Sequence, residues 1–264
     1  MLPRVNLIHG NVADYLLFAT GDAISATIYK NGTWAEPLIT ISRFFYADEV
    51  APFILDIGAN LGAYTVPIAQ EIAAAGGYVY AYEPQRIVYY QLCGNVFLNR
   101  LDNVYAYCVA LGARDGTVKL PSIDYQNSVN IGGFSVDETI RQHQNCISTN
   151  EAKLEPEVPL ARLDSLPLPK APCLIKIDVE GLELQVLQGG SAFLARHDYP
   201  PLLLEAWSGD WFAPERQKLL DYIAQLGYTT FAIGDELIAQ HPRHGRQVRF
   251  ETTADGTIQI GRVR

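Results

Sequence analysis

The stretch Phe53-Ile54-Leu55-Asp56-Ile57-Gly58-Ala59-Asn60-Leu61-Gly62-Ala63-Tyr64-Thr65 constrains this chain more than any other. Phe53 to Leu55 form a continuous apolar run, the pattern of a strand covered on both faces. Asp56 falls where that strand ends. Gly58 and Gly62 bracket a turn in which backbone can approach a ligand closely. A helix after such a turn aims unpaired N–H groups at whatever the turn holds. The combination predicts a parallel α/β sheet with its ligand at the carboxyl ends of the strands.

The rhythm downstream agrees. Strands are expected at 53–57, 78–82 and 104–109, with helices at about 62–75 and 85–99 between them. That is a βαβαβ half of a doubly wound sheet. Alternation resumes with a strand at 174–179, a helical stretch over 182–196 broken at Gly189-Gly190, a strand at 201–205, a helix at 214–226 and a strand at 228–233. Antiparallel closing strands are expected at 247–252 and 257–260. Residues 1–50 read as an N-terminal extension, a substrate-side cap, with strand-like runs at 5–8, 15–18 and 24–29 and a helix over 38–46. Residues 51–264 read as the main domain, with an edge strand at 117–120 and an irregular polar insertion at about 121–157. So long a loop is characteristic of a lid or binding loop, and Tyr125, Ile131 and Phe134 give it apolar anchors.

Composition narrows the partners. The chain has 264 residues, 48% hydrophobic and 19% charged, enough for one sizeable core. Its net charge of −9 argues against duplex nucleic acid, which needs a dominant basic footprint. Cys93, Cys108, Cys146 and Cys173 lack CxxC spacing, so reduced cytoplasmic thiols are expected rather than a zinc site or redox motif. The early apolar residues are broken by Asn6, His9, Gly10 and Asn11, unlike a signal peptide, and no apolar run reaches membrane-spanning length. The expectation is a cytoplasmic protein with no membrane partner.

The glycine turn does not carry a dinucleotide fingerprint. Starting at Gly58, the positions of G-x-G-x-x-G hold Gly58, Asn60 and Ala63, so the second glycine that admits a pyrophosphate is missing. No Gly-Lys-Ser/Thr follows, which excludes a P-loop. An acid before the turn suits a ligand with a cationic end. Glu83 closes the next strand, where a carboxylate accepts hydrogen bonds from ribose hydroxyls. Asp56, the glycine turn and Glu83 together describe a site for an adenosine with a zwitterionic tail and no phosphate, and S-adenosylmethionine fits. The bland alternative is an ordinary strand–turn–helix with a strand-end acid.

Lys176-Ile177-Asp178-Val179-Glu180-Gly181 is the second chemical feature. Lys176 and Asp178 share a strand face, and a buried ammonium demands a partner. Asp178 and Glu180 are expected beside the reacting group as base or acceptor-orienting carboxylate, with Lys176 tuning a neighbour. A purely structural Lys–carboxylate pair is the alternative. Glu205 ends the following strand and joins them on one rim. Asp178 and Glu205 offer hard oxygen ligands for a divalent cation, but a role as base is preferred and no metal centre is assigned. His197 reads as a surface residue, His241 and His244 as no metal pair, and Arg243 to Arg249 as a solvated hairpin.

Several motifs then occur in one order: Leu55 to Thr65, Tyr82-Glu83-Pro84, Asn95 to Asn99, Leu163-Asp164-Ser165-Leu166, Ile175 to Glu183, Leu187 to Gly190 and Leu203-Leu204-Glu205. They resemble the FkbM-type S-adenosylmethionine-dependent methyltransferases over about 53–207, and Trp34-Ala35-Glu36-Pro37 is similar to a weaker feature of that family. The resemblance implies a class I, Rossmann-like methyltransferase fold: a seven-stranded, mostly parallel sheet with helices on both faces. It implies methyl transfer to a hydroxyl of a saccharide or secondary metabolite. It assigns the methionine end of the cofactor to Asp56, Gly58, Asn60 and Gly62 and the ribose to Glu83, and it sets the adenine beside Ala110 and Leu111. Ala59, Tyr64, Thr65 and Pro84 belong to the same cofactor motifs. N-methylation of an amide or peptide side chain, and a non-catalytic S-adenosylmethionine-binding protein, remain as alternatives.

Overall fold

The computed structural model describes residues 2–120, 122–144 and 157–263. An antiparallel hairpin, β1 (Val5–His9) and β2 (Asp14–Phe18), leads into helices α1 (Ala23–Asn31) and α2 (Glu36–Tyr46). There follow β3 (Phe53–Ile57), α3 (Thr65–Ala73), β4 (Tyr78–Tyr82), α4 (Arg86–Leu98) and β5 (Val104–Tyr107). The short strands β6 (Ala110–Leu111), β7 (Gly116–Val118) and β8 (Val158–Ala161) make a side sheet, with the helical turn α5 (Glu138–Arg141) inside the insertion. The second half comprises β9 (Leu174–Ile177), α6 (Glu183–Gln188), α7 (Ser191–Arg196), β10 (Leu202–Glu205), α8 (Ala213–Gln225), β11 (Thr229–Ile233) and β12 (Glu236–Gln240). A ribbon of β13 (Val248–Thr252) and β14 (Ile258–Arg262) ends the chain.

The described residues build a seven-stranded sheet in the order β11-β12-β10-β9-β3-β4-β5. Only β12 runs antiparallel to its neighbours. This is the seven-stranded, mostly parallel sheet that the family resemblance implies. The chain moves outward from β3 to β5, then returns to place β9 on the other side of β3. Strand order therefore reverses between β3 and β9, which opens a crevice at their carboxyl ends.

The central strands are apolar because both faces are covered. Leu55, Ile57, Ile177 and Leu204 meet Val186, Phe193 and Leu219 from α6, α7 and α8. On the other face, Ile54, Leu174 and Leu203 meet Ile39 and Phe45 of α2 and Ile68 and Ile72 of α3. Each such buried aliphatic side chain contributes about 1.5–3 kcal/mol. Side-chain alternation puts Asp56 and Lys176 on the second face, with α2 and α3.

Three expectations change. Residues 24–29 are helical, not a strand. Asp22 caps α1 by accepting the Ser25 N–H at 2.9 Å, and β-branched Ile24, Thr27 and Ile28 disguise the helix in the sequence. The segments 247–252 and 257–260 pair with each other rather than closing the main sheet. The sheet is completed by β12, whose short buried run lacks alternation. The strand expected at 117–120 is β7, and its partner β8 lies just past the insertion.

Residues 122–144 of the insertion are packed, with Ile123, Tyr125, Ile131 and Phe134 against Phe18, Ile87 and Val88. Cys93, Cys108 and Cys173 are free and half-buried, and Cys146 lies outside the described residues. No described helix is long and apolar enough to cross a membrane.

Candidate active site

The turn after β3 folds back on β4: the N–H groups of Gly58 and Ala59 both donate to the Tyr82 carbonyl at 2.9 Å. Gly58 has φ +81°, and a Cβ there would lie 1.7 Å from the Asp178 carbonyl oxygen. The ends of β3 and β9 can meet this closely only at a glycine. Asn60, at φ +51°, turns its own N–H toward Glu83 Oε2 at 2.9 Å. Glu83 Oε1 accepts from the Gln85 N–H at 2.8 Å. Burial pushes the Glu83 carboxyl up to about 7, against the downward pull of these two amides.

Glu83 lines a cavity of about 540 Å³. Gly58 and Asn60 line it beside the turn, and Pro84, Val109, Ala110, Leu111 and Leu120 give it an apolar wall past β4 and β5. The insertion contributes Asn130, Gly132 and Phe134, and the N-terminal segment contributes Ala23, Ile24 and Trp34. Gly132 sits so close to Asn60 that a Cβ would lie 1.7 Å from the side-chain Nδ2 of Asn60. Beyond β9 and β10 the lining is Asp178, Glu180, Glu205, Trp207 and Trp211. Glu83 and Glu205 end strands three places apart in the sheet, about 14 Å at the usual strand spacing. That span suits an adenosine at one end and an acceptor at the other. Glu83, the close-packed turn and the apolar wall fit S-adenosylmethionine.

Several residues expected at the cofactor do not line the cavity. Asp56 is fully buried and accepts from the Thr65 hydroxyl and from Lys176 Nζ at 3.2 Å. Lys176 Nζ also lies 3.2 Å from Asp178 Oδ2 and donates to the Gly58 carbonyl at 3.2 Å. Burial alone would lower the pKa of this ammonium, but Asp178 and Asp56 outweigh it and raise the pKa, so Lys176 is charged. Tyr64 shares a 2.7 Å hydrogen bond with Ser42. Ala59 packs with Ala81 and Leu92, and a Cβ on Gly62 would come 2.9 Å from Leu92. Asp56, Ala59, Gly62, Tyr64, Thr65 and Lys176 thus form the layer beneath the turn. They hold its shape while Gly58, Asn60, Glu83, Pro84 and Ala110 face the cavity.

The acidic rim is built on the turn after β9. Glu180 adopts φ +58°, a left-handed conformation costing about 1–2 kcal/mol for a non-glycine residue, and Gly181 follows at φ +89°. Glu183 fastens this turn by accepting from the N–H groups of Val179 at 2.9 Å and Gly181 at 3.2 Å. Asp178, Glu180 and Glu205 bring carboxylate oxygens within 4.8 Å of one another. Burial, and then the nearby charge of Asp178, pushes Glu180 and Glu205 well above the usual carboxylate range. Burial pushes Glu236 up to about 7. Trp207, Trp211 and Phe212 form an aromatic group with ring centroids 4.9–5.3 Å apart, and His143 stacks on Trp211 at 4.5 Å.

Sequence reasoning gives no role to Gln85, Gln144, His143 or Trp211. Gln85 Nε2 donates to the Ile131 carbonyl at 3.0 Å while Asp22 accepts the Ile131 N–H at 2.9 Å, so the insertion is gripped through both backbone polar groups of one residue. Gln144 donates to Glu180 at 2.9 Å. For His143 and Gln144 the only signal is the polar, glycine-containing composition of 121–157, and for Gln85 and Trp211 there is none. Other motif residues are structural. Asn95 is fully buried, donating to the Leu61 carbonyl at 2.8 Å and accepting the Leu16 N–H at 2.6 Å. Asp164 accepts the Phe193 N–H at 2.6 Å. Of the other histidines, His197 follows α7 with its ring beside Phe193, and His241 stacks on Tyr199. Arg246 pairs with Glu49 at 2.8 Å.

This combination of motifs matches the methyltransferase FkbM domain over residues 56–230, more than half of the chain. The chain belongs to the FkbM methyltransferase family. It is 26% identical over 201 residues to methyltransferase sdnD of Sordaria araneosa, across 64% of this chain and 72% of that protein. It is 27% identical over 155 residues to Methyltransferase 1 of Beauveria bassiana (strain ARSEF 2860), across 53% of this chain and 61% of that one. Among solved structures it is similar to methyltransferase FkbM from Methylobacillus flagellatus KT, with a TM-score of 0.46 and 19% identity. That likeness covers 72% of this chain and 43% of the bacterial one. The protein is a methyltransferase of this family.

Proposed function

We propose that this FkbM-family protein transfers a methyl group from S-adenosylmethionine to a hydroxyl oxygen of a saccharide or secondary metabolite. The observation that carries the reading is one cavity with Glu83 toward one end and the Asp178–Glu180–Glu205 rim toward the other. Bound S-adenosylmethionine supplies an electrophilic sulfonium methyl. Glu83 accepts the ribose hydroxyls, Gly58 and Asn60 receive the methionine end, and Pro84 and Ala110 border the adenine. Asp178, Glu180 and Glu205 orient the acceptor hydroxyl and take up its proton. Burial of Glu180 and Glu205 raises their affinity for that proton. Lys176 and Asp56 act as positioning residues, holding Asp178 and the turn in register.

Trp207 and Trp211 offer apolar ring faces against which a sugar ring can pack. The N-terminal segment is read as an acceptor-side cap, since Ala23, Ile24 and Trp34 line the same cavity. The acidity of the rim favours a second reading, methylation of an amine or peptide nitrogen. Neither reading requires nucleic acid or a membrane, and both suit a cytoplasmic enzyme acting on small acceptors. Methyl-labelled S-adenosylmethionine, offered with parallel panels of glycosides and amines, separates them by the NMR shift of the transferred methyl. Methyl ethers are expected, and label appearing only on nitrogen would overturn the hydroxyl assignment.

A further inference from the structure

We propose that Asp178, Glu180 and Glu205 form a binding site for a divalent cation. Their carboxylate oxygens lie within 4.8 Å of one another, from the ends of the adjacent strands β9 and β10 and the turn that follows β9. An octahedral ion with bonds of about 2.1 Å sets its ligand oxygens roughly 3 to 4.2 Å apart, so small side-chain rotations bring the three onto one centre. The independent sign of a missing ligand is Glu205. Its Oε2 is shut off from solvent and receives no hydrogen bond among the described residues. A carboxylate oxygen desolvated in this way is costly unless a cation or a donor meets it.

The other two carboxylates keep capacity for the same ion. Asp178 spends Oδ2 on Lys176, and Glu180 spends Oε2 on Gln144, which leaves Asp178 Oδ1 and Glu180 Oε1. Lys176 is committed to Asp56, Asp178 and the Gly58 carbonyl and does not reach Glu205 by any ion pair among the described residues. Three carboxylates and no thiol favour a hard ion such as Mg²⁺ or Mn²⁺. Three protein ligands leave open positions facing the cavity. If the acceptor is a polyhydroxylated molecule, as the hydroxyl reading above holds, its oxygens occupy those positions. The cation site itself does not depend on that reading.

The test is a Mn²⁺ titration of the full chain, without cofactor or acceptor, followed by the loss of the free Mn²⁺ signal in electron paramagnetic resonance. One ion is expected to bind with submillimolar affinity, displaced by excess Mg²⁺. Glu205→Gln and Asp178→Asn should each weaken binding about tenfold or more, since affinity follows the ligand charge count. Glu251→Gln, in an exposed pair with Arg249, should bind as the unaltered protein does. Thermal denaturation of the same samples shows that each variant is folded, and calorimetry with S-adenosylmethionine reports the cofactor site separately. No binding at millimolar Mn²⁺, or a Glu205→Gln variant that binds equally well, would overturn the proposal while leaving the methyltransferase reading standing. Loss of S-adenosylmethionine binding with Mn²⁺ binding retained would do the reverse.

Discussion

Lys176→Met tests whether the layer beneath the glycine turn is held by charge. Lys176 Nζ lies 3.2 Å from each of Asp56 Oδ1, Asp178 Oδ2 and the Gly58 carbonyl. Methionine matches the length of the lysine stem, so the packing cost stays under about 1.5 kcal/mol. The main loss is electrostatic. Asp56 is fully buried and, among the described residues, would keep only the Thr65 hydroxyl as a side-chain partner. Removing one member of a buried ion pair costs about 3–5 kcal/mol, because the other charge stays buried and uncompensated. Against a typical stability of about 5–15 kcal/mol, that is a large share. Urea denaturation followed by tryptophan fluorescence should show a lower midpoint with an unchanged slope. Adding Asp56→Leu to Lys176→Met removes the stranded charge and should recover at least half of the loss. A single variant that loses less than about 1 kcal/mol, or a double variant less stable than the single, would refute the assignment.

Two further outcomes follow from the same geometry. Gly58→Ala places a Cβ 1.7 Å from the Asp178 carbonyl at a φ of +81°, so it should cost about 1–2 kcal/mol for the left-handed backbone and about 1–3 kcal/mol for overpacking, and should weaken cofactor binding; an unchanged denaturation midpoint would contradict this. Glu83, with its carboxyl raised to about 7, holds a proton in the folded protein that the unfolded chain releases near 4.5. Its contribution to stability is therefore present at low pH and lost as pH rises through 7. Cofactor affinity should move the other way, because ribose hydroxyls need the ionised acceptor, and should rise roughly tenfold from about pH 6 to 8. Glu83→Gln should bind more weakly and flatten that dependence; calorimetry across the range checks both, and a slope retained in the variant would exclude Glu83 as its source.

The core strands and the strand-end acids are legible in the sequence for a physical reason. Phe53 to Leu55, Leu174-Ile175 and Leu202 to Leu204 are buried on both faces, which writes unbroken apolar runs ended by Asp56, Lys176 and Glu205, with Asp178 two residues beyond Lys176. Legibility fails where a role depends on partners distant in the chain. Asp56 looks like a ligand-facing acid, yet it is paired in register with Lys176, and both point toward α3 rather than the cavity. Tyr64 and Thr65 share that layer for the same reason. The helix α1 is hidden by β-branched residues, and β12 by a buried run too short to show a period. Gln85 and Asp22 acquire their role only by meeting Ile131, far along the chain. The meeting of Glu180 with Asp178 and Glu205 depends on a left-handed backbone at a non-glycine residue, which no local pattern announces.

The central claim is that the cavity between the glycine turn, Glu83 and the acidic rim receives S-adenosylmethionine. Isothermal titration with S-adenosylmethionine addresses it directly, on the unaltered protein and on Glu83→Gln. One molecule per chain should bind, and the single substitution in the cavity should weaken that binding. No heat of binding at millimolar S-adenosylmethionine, or full affinity in Glu83→Gln, would contradict the account.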